Sequence, residues 1–117
     1  ERLIEARRPA MAFTLGGMGS AQTNFYNDAF RRAGYEDAAI EVQSLWVNGD
    51  KEAAIRAVPD EMVLKTNLIG TREMVIERVK AYAEAGVTTL RITTSGKNWR
   101  ERTETLAEAT DLIHSIR

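Results

Sequence analysis

The residues whose types and spacing could do chemistry concentrate in the stretch LGGMGSAQTNFYNDAF, Leu15 to Phe30. Gly16, Gly17 and Gly19 put three glycines in four positions, more than one turn needs. Backbone this bare can approach a flat ring or a phosphate near a following helix. Gly17-Met18-Gly19 opens like a dinucleotide fingerprint, but Gln22 stands where the third glycine belongs, so that reading fails. Two readings of the glycines stay open: contact with a ligand, or positive φ for a turn. Further on, TTSGK at Thr93 to Lys97 ends like a phosphate-binding P-loop. Arg91 replaces its early glycine and Asn98 its final Ser or Thr, so it too fails.

Other chemistries find less support. His114 is the one histidine, with no evident carboxylate to orient it, and reads as a packed or solvated surface residue. There is no cysteine, so disulfides and thiolate metal sites are excluded. A transition-metal site would need carboxylates alone, and none have ligand spacing, so no metal is expected. Glu101, Glu104, Glu108 and Asp111 follow helical spacing and read as a solvated face. Phe25, Tyr26, Phe30 and Trp46 read as core aromatics. No Ser-His-Asp arrangement can be assembled, and no catalytic residue is identified. Sixteen Lys and Arg against seventeen Asp and Glu leave a formal charge of -1, which favours neither nucleic acid nor an anionic membrane as partner. With no apolar run near the roughly 20 residues that span a bilayer, the chain is expected to be cytoplasmic.

The elements that must position these residues follow from periodicity. In 117 residues, 44% of them hydrophobic, one globular segment is expected over residues 1–117. The opening ERLIEARRP carries charges at helical spacing, as though entered within a helix. Met11 to Leu15 reads as a buried strand preceded by Pro9. Ser20 is the expected cap of a helix stopped at Gly34. Glu36 to Val47 places Ala39, Val42 and Trp46 on one helical stripe. Asp50 and Asp60 are expected to cap short helices on either side of Pro59. Asn67 to Thr71, with Leu68 to Gly70 at its centre, reads as a very short strand, and Thr71 as the cap of a helix packing Val75, Val79 and Tyr82. Val87 to Thr93 is rich in β-branched residues and reads as a strand. A last helix is expected from Trp99 to Ile116. This alternation predicts an α/β fold with parallel strands and covering helices. Three strands cannot close a barrel of eight strands and about 250 residues, so either the end of a (β/α)8 barrel or part of an open doubly wound sheet is expected. In a barrel, the Gly70-Thr71 and Thr94-Ser95-Gly96-Lys97 loops would hold phosphate, the alternative being polar turns.

The order RRPAMAFTLGGMGSAQTNFYNDAFRRAGYEDAA, then AVPDEMV, then LIGTREMVIERVKAYAEAGVTTLRI resembles the C-terminal part of the bacterial-luciferase-like oxidoreductases. It is most similar to the branch using the deazaflavin coenzyme F-420. The resemblance runs from Arg8 to Ile92, and its most specific elements are Gly16 to Gly19, Asn24-Phe25-Tyr26 and Ala85 to Leu90. Thr14-Leu15 departs from the aromatic and β-branched pair expected before the double glycine. The resemblance implies the C-terminal portion of a (β/α)8 TIM barrel and F-420-dependent hydride transfer with a small organic substrate. An FMN-dependent monooxygenase of the same family is the alternative. It further implies that Gly16, Gly17 and Gly19 touch the coenzyme, while Met18, Asn24 and Tyr26 line the substrate pocket. The chain would then be an incomplete piece that binds coenzyme little or not at all alone, and that forms a homo-oligomer or associates with the rest of the barrel. A non-catalytic, self-associating α/β domain is the reading from another class.

Overall fold

The computed structural model describes residues 1–116. Among the described residues seven α-helices run in chain order: α1 Arg2–Gly17, α2 Phe25–Phe30, α3 Glu36–Val47, α4 Lys51–Ala57, α5 Asp60–Thr66, α6 Arg72–Glu84 and α7 Trp99–Ser115. A wide helical turn, Arg31–Tyr35, joins α2 to α3 across a kink at Gly34, whose φ of 97° suits a residue without a Cβ. The chain divides into two compact units, Glu1–Asn67 and a second beginning at Leu68.

The expected α/β fold, the C-terminal part of a (β/α)8 TIM barrel, is overturned: the described residues contain helices and no strand or sheet. Met11 to Leu15 lies inside α1, because Ala12, Leu15 and Gly16 fall on one helical face and are buried there. The apolar run winds round the helix, with Ala12 and Leu15 buried and Phe13 turned outward. Leu68 to Gly70 and Val87 to Thr93 have no regular secondary structure. A parallel strand is held by hydrogen bonds to neighbouring strands, and neither segment has such a neighbour among the described residues. β-Branched composition favours a pleated surface only where there is a sheet to join.

In the first unit α1 packs on α2, α3, α4 and α5, and α3 also on α2 and α4. Ala12, Leu15, Ala39, Val42, Ala54, Val58, Met62 and Val63 form its core, all with no exposed surface. Each Leu, Val or Met buried in this way contributes about 1.5–3 kcal/mol. The expected Ala39, Val42 and Trp46 stripe of α3 faces inward, Trp46 being half-buried at its end. Arg8 joins α1 to the link between α4 and α5: its guanidinium donates to the Val58 carbonyl and pairs with Asp60 and Glu5. Asp50 caps α4 by accepting from the Ala53 amide, as its position before the helix predicts. Asp60 instead lies within the first turn of α5 behind Pro59, where its charge still favours the helix N-terminus.

In the second unit α6 packs on α7. Val79 is buried on α6 with Val75 and Tyr82 half-buried beside it, the stripe its spacing predicts, and Leu112 is buried on α7. Thr71 and Asn98 cap α6 and α7, accepting from the amides of Met74 and Glu101. No helix among the described residues is long and apolar enough to cross a membrane.

Candidate functional site

The segment from Gly16 to Asn27 joins the end of α1 to the start of α2, and the first unit is built around it. Gly16 and Gly17 complete α1. A Cβ on Gly16 would lie 2.4 Å from Cβ and 2.5 Å from Cγ of Trp46, so α3 rests its indole directly on the α1 backbone. At Gly17 a Cβ would meet the Phe13 ring at 2.7 Å and Trp46 Nε1 at 3.0 Å. Phe13 and Trp46 themselves meet edge to face, centroids 5.8 Å apart, and the Lys51 ammonium lies 5.2 Å over the Trp46 ring. Gly19 has a φ of 122°, and a Cβ there would stand 3.0 Å from the Thr23 carbonyl oxygen, so the turn closes tightly.

The expected helix start at Ser20 moves to Asn24. Ser20 and Thr23 instead bond hydroxyl to hydroxyl at 2.8 Å within the turn. Asn24 caps α2, its side-chain oxygen accepting from the Asn27 amide at 3.1 Å. Its side-chain nitrogen donates to the carbonyls of Thr14 at 3.1 Å and Leu15 at 2.9 Å. Asn27 adds donations to Leu15 at 3.0 Å and to Ala39 at 2.8 Å. The last carbonyls of a helix have no partner within it, so two buried asparagine amides satisfy those of α1 and tie α1, α2 and α3 together. Sequence reasoning singled out Asn24 but missed Asn27. The signal was its place three residues after a capping asparagine, where the cap's oxygen finds a backbone amide.

Of the expected site residues, Met18 and Tyr26 are open to solvent, 40% and 52% exposed, and Phe25 is more so at 83%. Gly16 and Asn24 are buried. Space beside Gly16 and Gly17 is taken by Trp46 and Phe13. Met18, Gly19 and Tyr26 are all exposed along this turn.

The family model for luciferase-like monooxygenases matches residues 2–89. Over 86 residues the chain is 36% identical to a Mycobacterium tuberculosis (strain ATCC 25618 / H37Rv) protein named as a coenzyme F420-dependent oxidoreductase. That match takes in 74% of this chain and 25% of the relative, so the chain spans about a quarter of the relative's length. No solved structure matches the chain significantly. With the family model covering every helix from α1 to α6, the chain belongs to the luciferase-like monooxygenase family.

Proposed function

We propose that the chain is part of an F-420-dependent oxidoreductase that exchanges hydride with a small organic substrate, and that Gly16 to Tyr26 borders the coenzyme. Membership of the luciferase-like family carries this reading, and the name of the Mycobacterium tuberculosis relative favours F-420 over FMN. F-420, when bound, supplies or accepts the hydride. The chain's own residues shape the place it occupies. Gly16 and Gly17 let Trp46 and Phe13 seat beneath the turn, and Gly19 lets the turn close against the Thr23 carbonyl. Met18 and Tyr26 offer apolar contact to ring and substrate, while Asn24 fixes the position of α2 relative to α1.

The test is a titration of the protein with F-420 and, separately, with FMN, followed by NMR of the Met18 methyl and Tyr26 ring signals. Weak binding of F-420 that shifts Met18 and Tyr26 before other residues is expected. Tighter binding of FMN overturns the choice of coenzyme. Millimolar F-420 that leaves both residues unmoved overturns the site.

A further inference from the structure

On the outer side of the corner between α2 and α3, Phe25, Asp28, Arg31, Arg32 and Glu36 line an open groove of about 720 Å³. That is within the range of roughly 300–1,000 Å³ typical of small-molecule clefts. Its charges are unevenly used. The kink at Gly34 brings the start of α3 round, and Glu36 takes Arg31 as an ion pair at 3.3 Å. Asp28 and Arg32 stand four residues apart in the order that favours an ion pair on a helix. They form none. Arg32 spends Nε on the Asp28 backbone carbonyl at 3.4 Å, and neither its terminal nitrogens nor the Asp28 carboxylate has a protein partner among the described residues. Phe25, at the first position of the same short helix, is 83% exposed, more than any other large hydrophobic among the described residues.

We infer that this groove is a binding site for a zwitterionic amino acid with an aromatic side chain, independently of the hydride-transfer reading. The ligand's carboxylate takes the two terminal nitrogens of Arg32, a geometry guanidinium favours. Its ammonium takes the Asp28 carboxylate, and its ring packs against Phe25 offset or edge on. Charge makes the choice. A plain aromatic anion would satisfy Arg32 but face the carboxylate of Asp28, and an aromatic amine would satisfy Asp28 but face Arg32. Only a ligand carrying both charges leaves neither unpaired, and the paired Arg31 and Glu36 add no net charge.

The experiment is calorimetric titration of the unmodified protein with L-phenylalanine, 3-phenylpropionate, phenethylamine and glycine. Phenylalanine is expected to bind, and each of the other three at least fivefold more weakly. Arg32→Gln and Asp28→Asn should each weaken phenylalanine at least fivefold while leaving the helical circular dichroism intact. No heat with millimolar phenylalanine overturns the site. Equal binding of phenylpropionate removes Asp28 from it, equal binding of phenethylamine removes Arg32, and equal binding of glycine removes Phe25; each defeats the inference as stated. These four arms use the wild-type chain, so they decide the matter even where a variant misfolds.

Discussion

Gly16 and Trp46 share one space: the position a Cβ would take on Gly16 is 2.4 Å from Cβ of Trp46. Gly16→Ala therefore sets two effects against each other. Alanine favours a helix over glycine by about 1 kcal/mol, and overpacking costs about 1–3 kcal/mol. The obstructing atoms are the first two of the indole side chain, which cannot swing aside without moving α3, so overpacking wins. With contacts of 2.4 and 2.5 Å the cost falls in the upper half of that range, and a net loss of about 1–2 kcal/mol is expected in urea denaturation. Trp46→Ala in the same chain should not rescue it, because the alanine keeps the nearest atom. A Gly16→Ala protein as stable as the wild type would show that the helices crossing here are not held at this distance.

Gly17→Ala should behave differently. Its nearest neighbours are edge atoms of the Phe13 ring, at 2.7 and 2.8 Å, the far end of a side chain that is 47% exposed and can rotate. Helix propensity then offsets the smaller clash, and stability is expected to change by less than about 0.5 kcal/mol. A loss as large as that of Gly16→Ala would mean that Phe13 is locked against Trp46.

Asn27 is 1% exposed and donates to carbonyls on two different helices. Asn27→Ala removes both donations, leaving the Leu15 carbonyl to the Asn24 side chain alone and taking the side-chain partner from the Ala39 carbonyl; at about 0.5–1.5 kcal/mol for each hydrogen bond lost, a loss of about 1–3 kcal/mol is expected. Asn27→Asp removes the donors and faces the same carbonyls with a carboxylate. Burial raises the pKa of such a group, so its variant should be least stable at neutral pH and recover as the pH falls and the carboxyl gains a proton. Thermal denaturation across pH 4 to 8, taken as about the span over which a buried carboxyl titrates, decides it. A flat profile would place the side chain in water.

Glu73, in the first turn of α6, has its pKa lowered from 4.5 by a hydrogen bond from its own backbone amide and then by the Thr71 hydroxyl. A carboxylate with a depressed folded pKa stabilises the fold fully above its unfolded value, and that contribution is lost as the pH falls through the folded one. Hydrogen exchange at the start of α6 should thus quicken as the pH drops below 4.5, after correction for the intrinsic rate, and Glu73→Gln should remove that dependence. An NMR titration of Glu73 with a midpoint at or above 4.5 would refute the assignment.

The helices with a single buried stripe were legible in the sequence. Ala39, Val42 and Trp46, or Val75, Val79 and Tyr82, recur at three and four residues and point inward, and Asp50 and Thr71 announce their helices by capping them. Met11 to Leu15 misled because a run of five largely apolar residues is too short for its periodicity to tell a buried strand from one turn and a half of helix. The charges of Glu1 to Arg8 at helical spacing were the better guide to α1. Val87 to Thr93 misled for another reason: strand preference is realised through a partner, and a single chain segment does not disclose whether one is there. The glycines were legible as a demand for close approach. That Trp46, thirty residues on, makes this approach depends on how α1 crosses α3, which local pattern does not encode.

The chain's two tryptophans fall one to each unit, and they differ optically. Trp46 sits half-buried between the α1 backbone, Phe13 and Lys51, while Trp99 is 76% exposed at the start of α7. An indole already in water changes its emission little on unfolding, whereas one lifted from an apolar seat shifts to longer wavelength. Intrinsic fluorescence of this protein is therefore a gauge of its first unit alone, reading out whether the indole still lies on the glycines of α1.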